Sequence, residues 1–244
     1  MGYRFALRYL VCDDSRVQER RVPLAAVDWK TRFERAIPVR EFPSYAGQRS
    51  FQGDWWASTF GDFVGFESWL ERDQVMVMDQ APDVVAFASQ PFWLSWTGDG
   101  ERRRRHVPDY FARLADGTGA VIDVRADDAI EPEDAEAFAA TALACASVGW
   151  IYRRVGELEP VLAANLRWLA GYRHPRCRNA DYAGALMRLF MEPSPLLRTA
   201  ERAGDRIAVL PVLFHLLWAG ALTADLTVAP LSAATMVTTT GEHR

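Results

Sequence analysis

Two aspartates sit in stretches otherwise built for strands: Asp109 in Val107-Pro108-Asp109-Tyr110-Phe111, and Asp123 in Ala120-Val121-Ile122-Asp123-Val124-Arg125. Aspartate is depleted inside strands. A carboxylate buried there without a partner is expensive, so a cation or a metal has to stand beside it. The two predicted strands, 106–114 and 120–125, are joined by the turn Asp116-Gly117-Thr118-Gly119. Pro108 holds the approach to Asp109 extended. Strand alternation points Asp123 and Arg125 the same way. Any fold of this chain must house these charges.

Around the pair the pattern reads helix, three strands, helix, strand. A helix is predicted over 64–78 with Phe66, Leu70 and Val77 inward. A strand follows over 84–96, interrupted at Gln90-Pro91 because proline removes a ladder donor. Pro132 opens a helix that Gly149 closes, and 150–155 forms another strand. The expected fold class is α/β, a mixed sheet with a helix on each side. Residues 1–63 form an N-terminal region whose irregularly spaced aromatics pack on that core, residues 64–156 are the core, and 157–180 are a connecting helix and linker. Residues 181–244 form a C-terminal module: helices over 182–191, 194–203 and 206–218, then a hairpin of 222–228 and 231–237. Three helices and a hairpin make a winged helix-turn-helix. Its last helix has only Arg206 and His215 as polar residues, so it reads as a protein-docking element; a groove-reading helix presents polar and basic side chains.

The net charge of −4 argues against unaided gripping of bulk DNA, so nucleic-acid contact is local or arranged by a partner. The densest basic run is Arg102, Arg103, Arg104 and Arg105, which reads either as a solvated hairpin tip or as a DNA-backbone contact. Lys30 is the only lysine, so a cationic site position in this chain is arginine by default. Cys12, Cys145 and Cys177 show no paired spacing for zinc and make an odd count for disulfides, which places the chain in a reducing cytoplasm. No apolar run reaches the roughly 18 residues of a membrane span, and the N-terminus lacks a signal-peptide profile. There is no Gly-Lys-Ser/Thr phosphate loop, no nucleophile elbow and no metal spacing among the histidines.

Two carboxylates and a nearby cation are the donor set of a metal-dependent phosphodiesterase: the carboxylates hold a hard divalent ion and the cation offsets phosphate charge. With Glu67-Ser68-Trp69-Leu70-Glu71, Pro82-Asp83-Val84-Val85 and Gln90-Pro91-Phe92 upstream, residues 64–155 resemble the TnsA-type endonuclease subunit of heteromeric transposases, a restriction-endonuclease-like nuclease. Residues 165–237 resemble it more loosely. The resemblance implies an Mg²⁺ (or Mn²⁺) site in which Glu71 is the helix carboxylate, Asp109 the first strand carboxylate and Asp123 the second. Arg125 stands at the family's lysine position. It implies cutting at the 5′ ends of a transposon, beside an integrase-like transposase and under an AAA+ ATPase regulator, with no membrane involved.

Each residue also has a plain structural alternative. Asp109 alone would be a surface strand aspartate, and Asp123 half of a structural Asp–Arg pair. Glu67 and Glu71, four apart on one helical face, would be solvated, and the resemblance selects Glu71 over Glu67. Gln90 is either an accessory group hydrogen-bonded near the site or simply the place where a strand breaks. Arginine at 125 supplies charge but no proton acceptor. Two rival functions follow: a TnsA-like assembly subunit that has lost cutting, and a stand-alone defence nuclease of the same fold.

Overall fold

The computed structural model describes residues 4–13, 16–28, 30–40, 51–97 and 103–241. It is mixed α/β and divides into two compact units: residues 1–78 with 83–157, and residues 79–82 with 158–244. No helix among the described residues is long and apolar enough to cross a membrane.

The first unit contains two four-stranded sheets. One is antiparallel, in the order β2–β1–β6–β7, from β1 (Arg4–Asp13), β2 (Arg16–Pro23), β6 (Trp93–Thr97) and β7 (Arg103–His106). The other runs β10–β9–β8–β5, from β5 (Val84–Ser89), β8 (Tyr110–Leu114), β9 (Gly119–Val124) and β10 (Ile151–Val155). In it β5, β8 and β9 are antiparallel, and β10 lies parallel to β9. Parallel neighbours need a crossover, and α2 (Pro132–Ser147) supplies it. Pro132 at its first turn and the reciprocal bonds of Glu131 and Asp134 fix its start. Gly149, at φ 73°, turns the chain away from its end.

The stretch expected as one strand over 84–96 is therefore two strands in two different sheets. The break falls at Gln90, a non-glycine residue with φ 48°. The stretch expected over 106–114 is likewise split at Val107-Pro108-Asp109 between β7 and β8. The helix expected from 64 begins later. Asp62–Phe66 is β4, paired with β3 (Gly53–Ala57), and α1 runs Trp69–Gln80. Residues 1–63 contribute β1 and β2 to a sheet completed by β6 and β7, so strand pairing ties them to the 64–156 stretch.

The core of this unit lies where the inner face of the β1–β6 sheet meets β8, β9 and α2. It joins Leu7, Phe33, Leu94, Trp96, Phe111 and Val121 to Ala140, Ala144 and Cys145. Phe33, Phe92, Phe111 and Trp150 form an edge-on and tilted ring cluster, with Phe111 5.1 Å from Trp150 and 5.5 Å from Phe33.

The second unit holds α3 (Pro160–Ala170), α4 (Ala180–Leu189), the short α5 (Leu196–Ala200) and α6 (Arg206–Trp218). It also holds a three-stranded sheet, β11–β13–β12, of Ser194–Pro195, Met236–Thr239 and Leu222–Thr223. Thus the hairpin expected over 222–228 and 231–237 shrinks to two short strands, and a third strand comes from residues assigned to a helix. Helix α3 groups with this unit; residues 157–180 were expected as a connecting helix and linker. The apolar character of α6 also has a plain cause. Val209, Val212, Leu213, Phe214, Leu217 and Trp218 are buried, so the helix is the unit's core, and Ile207 is its one strongly exposed large hydrophobic residue.

Candidate active site

Asp109 does not lie inside a strand; it is the residue before β8, in the chain that leaves β7. Its Oδ2 accepts the Val124 N–H at 2.6 Å, and its carbonyl accepts the Gln90 N–H at 2.8 Å. Asp123 is in β9, 1 % exposed, and is satisfied on both oxygens. His106 Nε2 lies 2.8 Å from Oδ1, and the Tyr152 hydroxyl donates to Oδ2 at 2.9 Å. These two partners are what the sequence reading missed. His106 sits within the basic run, and Tyr152 comes from the parallel neighbour of β9, a pairing no local pattern reveals.

Glu67, Glu71, Asp109, Asp123 and Arg125 line one open cleft of about 480 Å³, which Arg105 and His106 also border. Burial pushes the Asp109 carboxyl well above the usual aspartate range, and the Asp123 and Glu71 carboxylates push it further. Burial also raises Glu71. Tyr110, fully buried beneath them, is held as a neutral phenol by burial and by the Glu71 and Asp109 charges. The cleft thus carries more negative charge than its own residues offset.

Glu71 has a second occupation. Ser68 Oγ accepts the Glu71 N–H at 3.1 Å, and the Glu71 carboxylate accepts the Glu67 N–H at 2.9 Å, which together cap the start of α1. Tyr110 Oη also donates to it at 3.3 Å. Glu71→Ala is expected to lower stability in denaturant unfolding by about 1 kcal/mol, the usual worth of a helix cap. Glu71→Gln keeps the acceptor and sheds the buried charge, so its stability should match or exceed that of the wild type. Equal losses in both variants would refute the capping role.

Glu67 lies before the helix, not on a shared helical face with Glu71. It pairs with Arg40 at 2.8 Å and accepts Gln90 Nε2 at 2.9 Å. Gln90 is therefore a positioning residue: its backbone holds the peptide of Asp109, its side chain holds Glu67, and its strained φ persists because both ends are tied. Arg125 follows the last residue of β9. It bonds to Asp134 at 2.8 Å and to the Ala129 carbonyl at 3.2 Å, with its side chain 44 % exposed, so it stands at the cleft rim. Of the basic run, Arg102 lies outside the described residues. Arg104 is paired with Glu136, which removes it from the set free to meet DNA, whereas Arg103 and Arg105 are exposed.

Three hard carboxylates and surplus negative charge suit a divalent cation such as Mg²⁺ or Mn²⁺ in donor chemistry and in charge. The side chains are engaged with one another, and among the described residues no three His, Cys, Asp or Glu groups are already gathered as a ligand set. Asp109 and Asp123 are the residues that would hold the ion, with Glu71 the third.

No protein-family model and no curated protein matches this sequence.

Proposed function

We propose that the chain is the metal-dependent DNA endonuclease subunit of a heteromeric transposase, hydrolysing the 5′ strand at transposon ends. The observation that carries the hydrolase part is the shared cleft of Glu71, Asp109 and Asp123, where burial first, and then the charges of the other two, raise Asp109. The order α1, β5, β8, β9, α2, β10 supports a restriction-endonuclease-like core. Helices α4, α5 and α6, with the small β11–β13–β12 sheet beside them, support a winged-helix C-terminal module. The transposon substrate, the transposase and the AAA+ regulator rest on the sequence resemblance.

A divalent ion bound by the carboxylates supplies a Lewis acid and a water of lowered pKa. The chain's own groups orient and neutralise. Tyr152 and His106 fix the Asp123 carboxylate, the Val124 N–H fixes Asp109, and Arg125 brings positive charge to the rim. A guanidinium cannot take the proton of an attacking water. The test is nicking of supercoiled DNA in Mn²⁺, with a chelated control. Cutting that needs the metal and is lost in Asp109→Asn supports the reading. Cutting that survives the substitution contradicts it. The assembly-subunit alternative is favoured by the Arg125–Asp134 pairing, and it requires that neither protein cut.

A further inference from the structure

The antiparallel sheet of the first unit has two unlike faces. Strand alternation sends Leu7, Tyr9, Leu94 and Trp96 into the core. Arg8, Trp93 and Ser95 go to the opposite, outer face. Cross-strand register then assembles rows on that outer face. Arg21, Arg8 and Trp93 lie side by side, then Ala6, Ser95 and Arg105, then Arg4, Thr97 and Arg103. The result is a groove of about 350 Å³ lined by Arg8, Arg21, Arg103, Arg104 and Arg105 around Trp93. It shares Trp93 and Arg105 with the carboxylate cleft, so the two adjoin.

Internal pairing leaves part of this charge unspent. Glu19 takes Arg21 at 2.6 Å and Arg8 at 3.0 Å, and Arg104 is held by Glu136. Among the described residues Arg103 bonds the Ser95 hydroxyl alone, at 3.4 Å, and Arg105 lies over the Trp93 ring at 4.4 Å. Neither has a carboxylate partner among the described residues. Arg104 pairs in register with the inward Trp96 and is spent on Glu136, so the outer face itself sets Arg8, Arg21, Arg103 and Arg105 against Glu19, a local reversal of sign in a chain of net charge −4.

We infer that this outer sheet face binds the phosphodiester backbone of nucleic acid, with Arg103 and Arg105 as principal phosphate contacts, and delivers it to the carboxylate cleft. Guanidinium groups suit phosphate oxygens, and an acidic cleft that must receive a polyanion needs such a neighbour. The groove lacks the apolar anchors at the centre of a protein interface, because its one large ring is covered by Arg8 and Arg105. Contacts of this kind are independent of sequence. Delivery to the cleft rests on the nuclease reading; the binding does not.

The experiment is fluorescence anisotropy with a mixed-sequence DNA duplex in chelator, between roughly 50 and 200 mM salt. Arg103→Ala/Arg105→Ala is expected to bind about tenfold more weakly or worse, and to lower the slope of log K against log salt by about 2, close to one per lost phosphate contact. Arg103→Lys/Arg105→Lys should keep the slope, which guards against misfolding as the cause. Arg35→Ala, which removes an exposed cation beside a different cleft, should change neither quantity. Unchanged affinity and slope in the alanine pair overturn the proposal. So does an arginine-dependent site that takes polyglutamate but no DNA. Because no cutting is read, the two proposals fail separately. Arginine-dependent binding without any metal-dependent cutting removes the nuclease and keeps the groove. Asp109-dependent cutting with arginine-independent binding does the reverse.

Discussion

Asp109→Asn is expected to abolish metal-dependent DNA cutting while making the metal-free protein more stable at neutral and alkaline pH. The two effects share one cause. Burial and the Asp123 and Glu71 carboxylates raise Asp109 above its ordinary value of 3.8, so the folded chain holds this proton more tightly than the unfolded chain does. The unfolded state then binds fewer protons, and stability falls as pH rises from the ordinary value through the raised one. Below that window both states are protonated and the penalty vanishes. Asparagine has no charge to bury and still offers an amide oxygen to the Val124 N–H. Its melting temperature should therefore exceed that of the wild type at pH 8 and match it near pH 3. Saturating Mn²⁺ should reverse the order, since a ligand that binds only the native state stabilises it by about 2.7 kcal/mol at a hundred times its dissociation constant. Loss of one ligand should cost cutting at least about 100-fold, the upper end of what removing a mere outer partner costs. A variant that melts lower at pH 8 and cuts normally would refute both statements.

Phe111→Ala is expected to destabilise the protein by about 3–5 kcal/mol, the range for emptying a buried phenylalanine site. That is a large part of the 5–15 kcal/mol typical of a domain. Phe111 is 0 % exposed and meets Phe33, Phe92 and Trp150. Its ring also occupies the space over Gly119, where a Cβ would come within 2.5 Å of Phe111 Cζ. The glycine and the ring are thus matched across the β8–β9 pair. Phe111 faces Val121 in the register that sets Asp109 and Asp123 beside one another, so loosening it disturbs the cleft as well as the core. Urea unfolding would measure the loss, and a value under 1 kcal/mol would show that the ring cluster does not hold this register.

The helices with local punctuation were legible in the sequence. Arg206–Trp218 is capped by Asp205, whose carboxylate accepts the Ile207 N–H, and Pro132–Ser147 opens on proline and closes before Gly149. The start of α1 was equally written, in the Ser68–Glu71 cap, but the inward spacing of Phe66 and Leu70 suggested an earlier start. Periodicity cannot tell that a broken strand continues in another sheet. Val84–Ser89 and Trp93–Thr97 look like one strand with a flaw, and only pairing with Arg4–Asp13 or Tyr110–Leu114 separates them. The site divides in the same way. Asp109 and Asp123 were conspicuous because aspartate is out of place in strand-like stretches, although Asp109 stands just before β8 and only Asp123 lies within a strand. His106 and Tyr152, which satisfy Asp123, reach it from other strands and leave no local trace. Arg125 lines the same cleft as Asp123, as strand alternation suggests, but it follows the strand's last residue and Asp134 holds it at the rim.

The central claim is that Asp109 and Asp123 are ligands of one divalent ion. Anomalous diffraction from a crystal soaked in Mn²⁺ tests it most directly. The account predicts a single peak in the cleft with an oxygen of each aspartate about 2 Å away. A cleft with no peak, with His106 and Tyr152 still closed on Asp123, would contradict it.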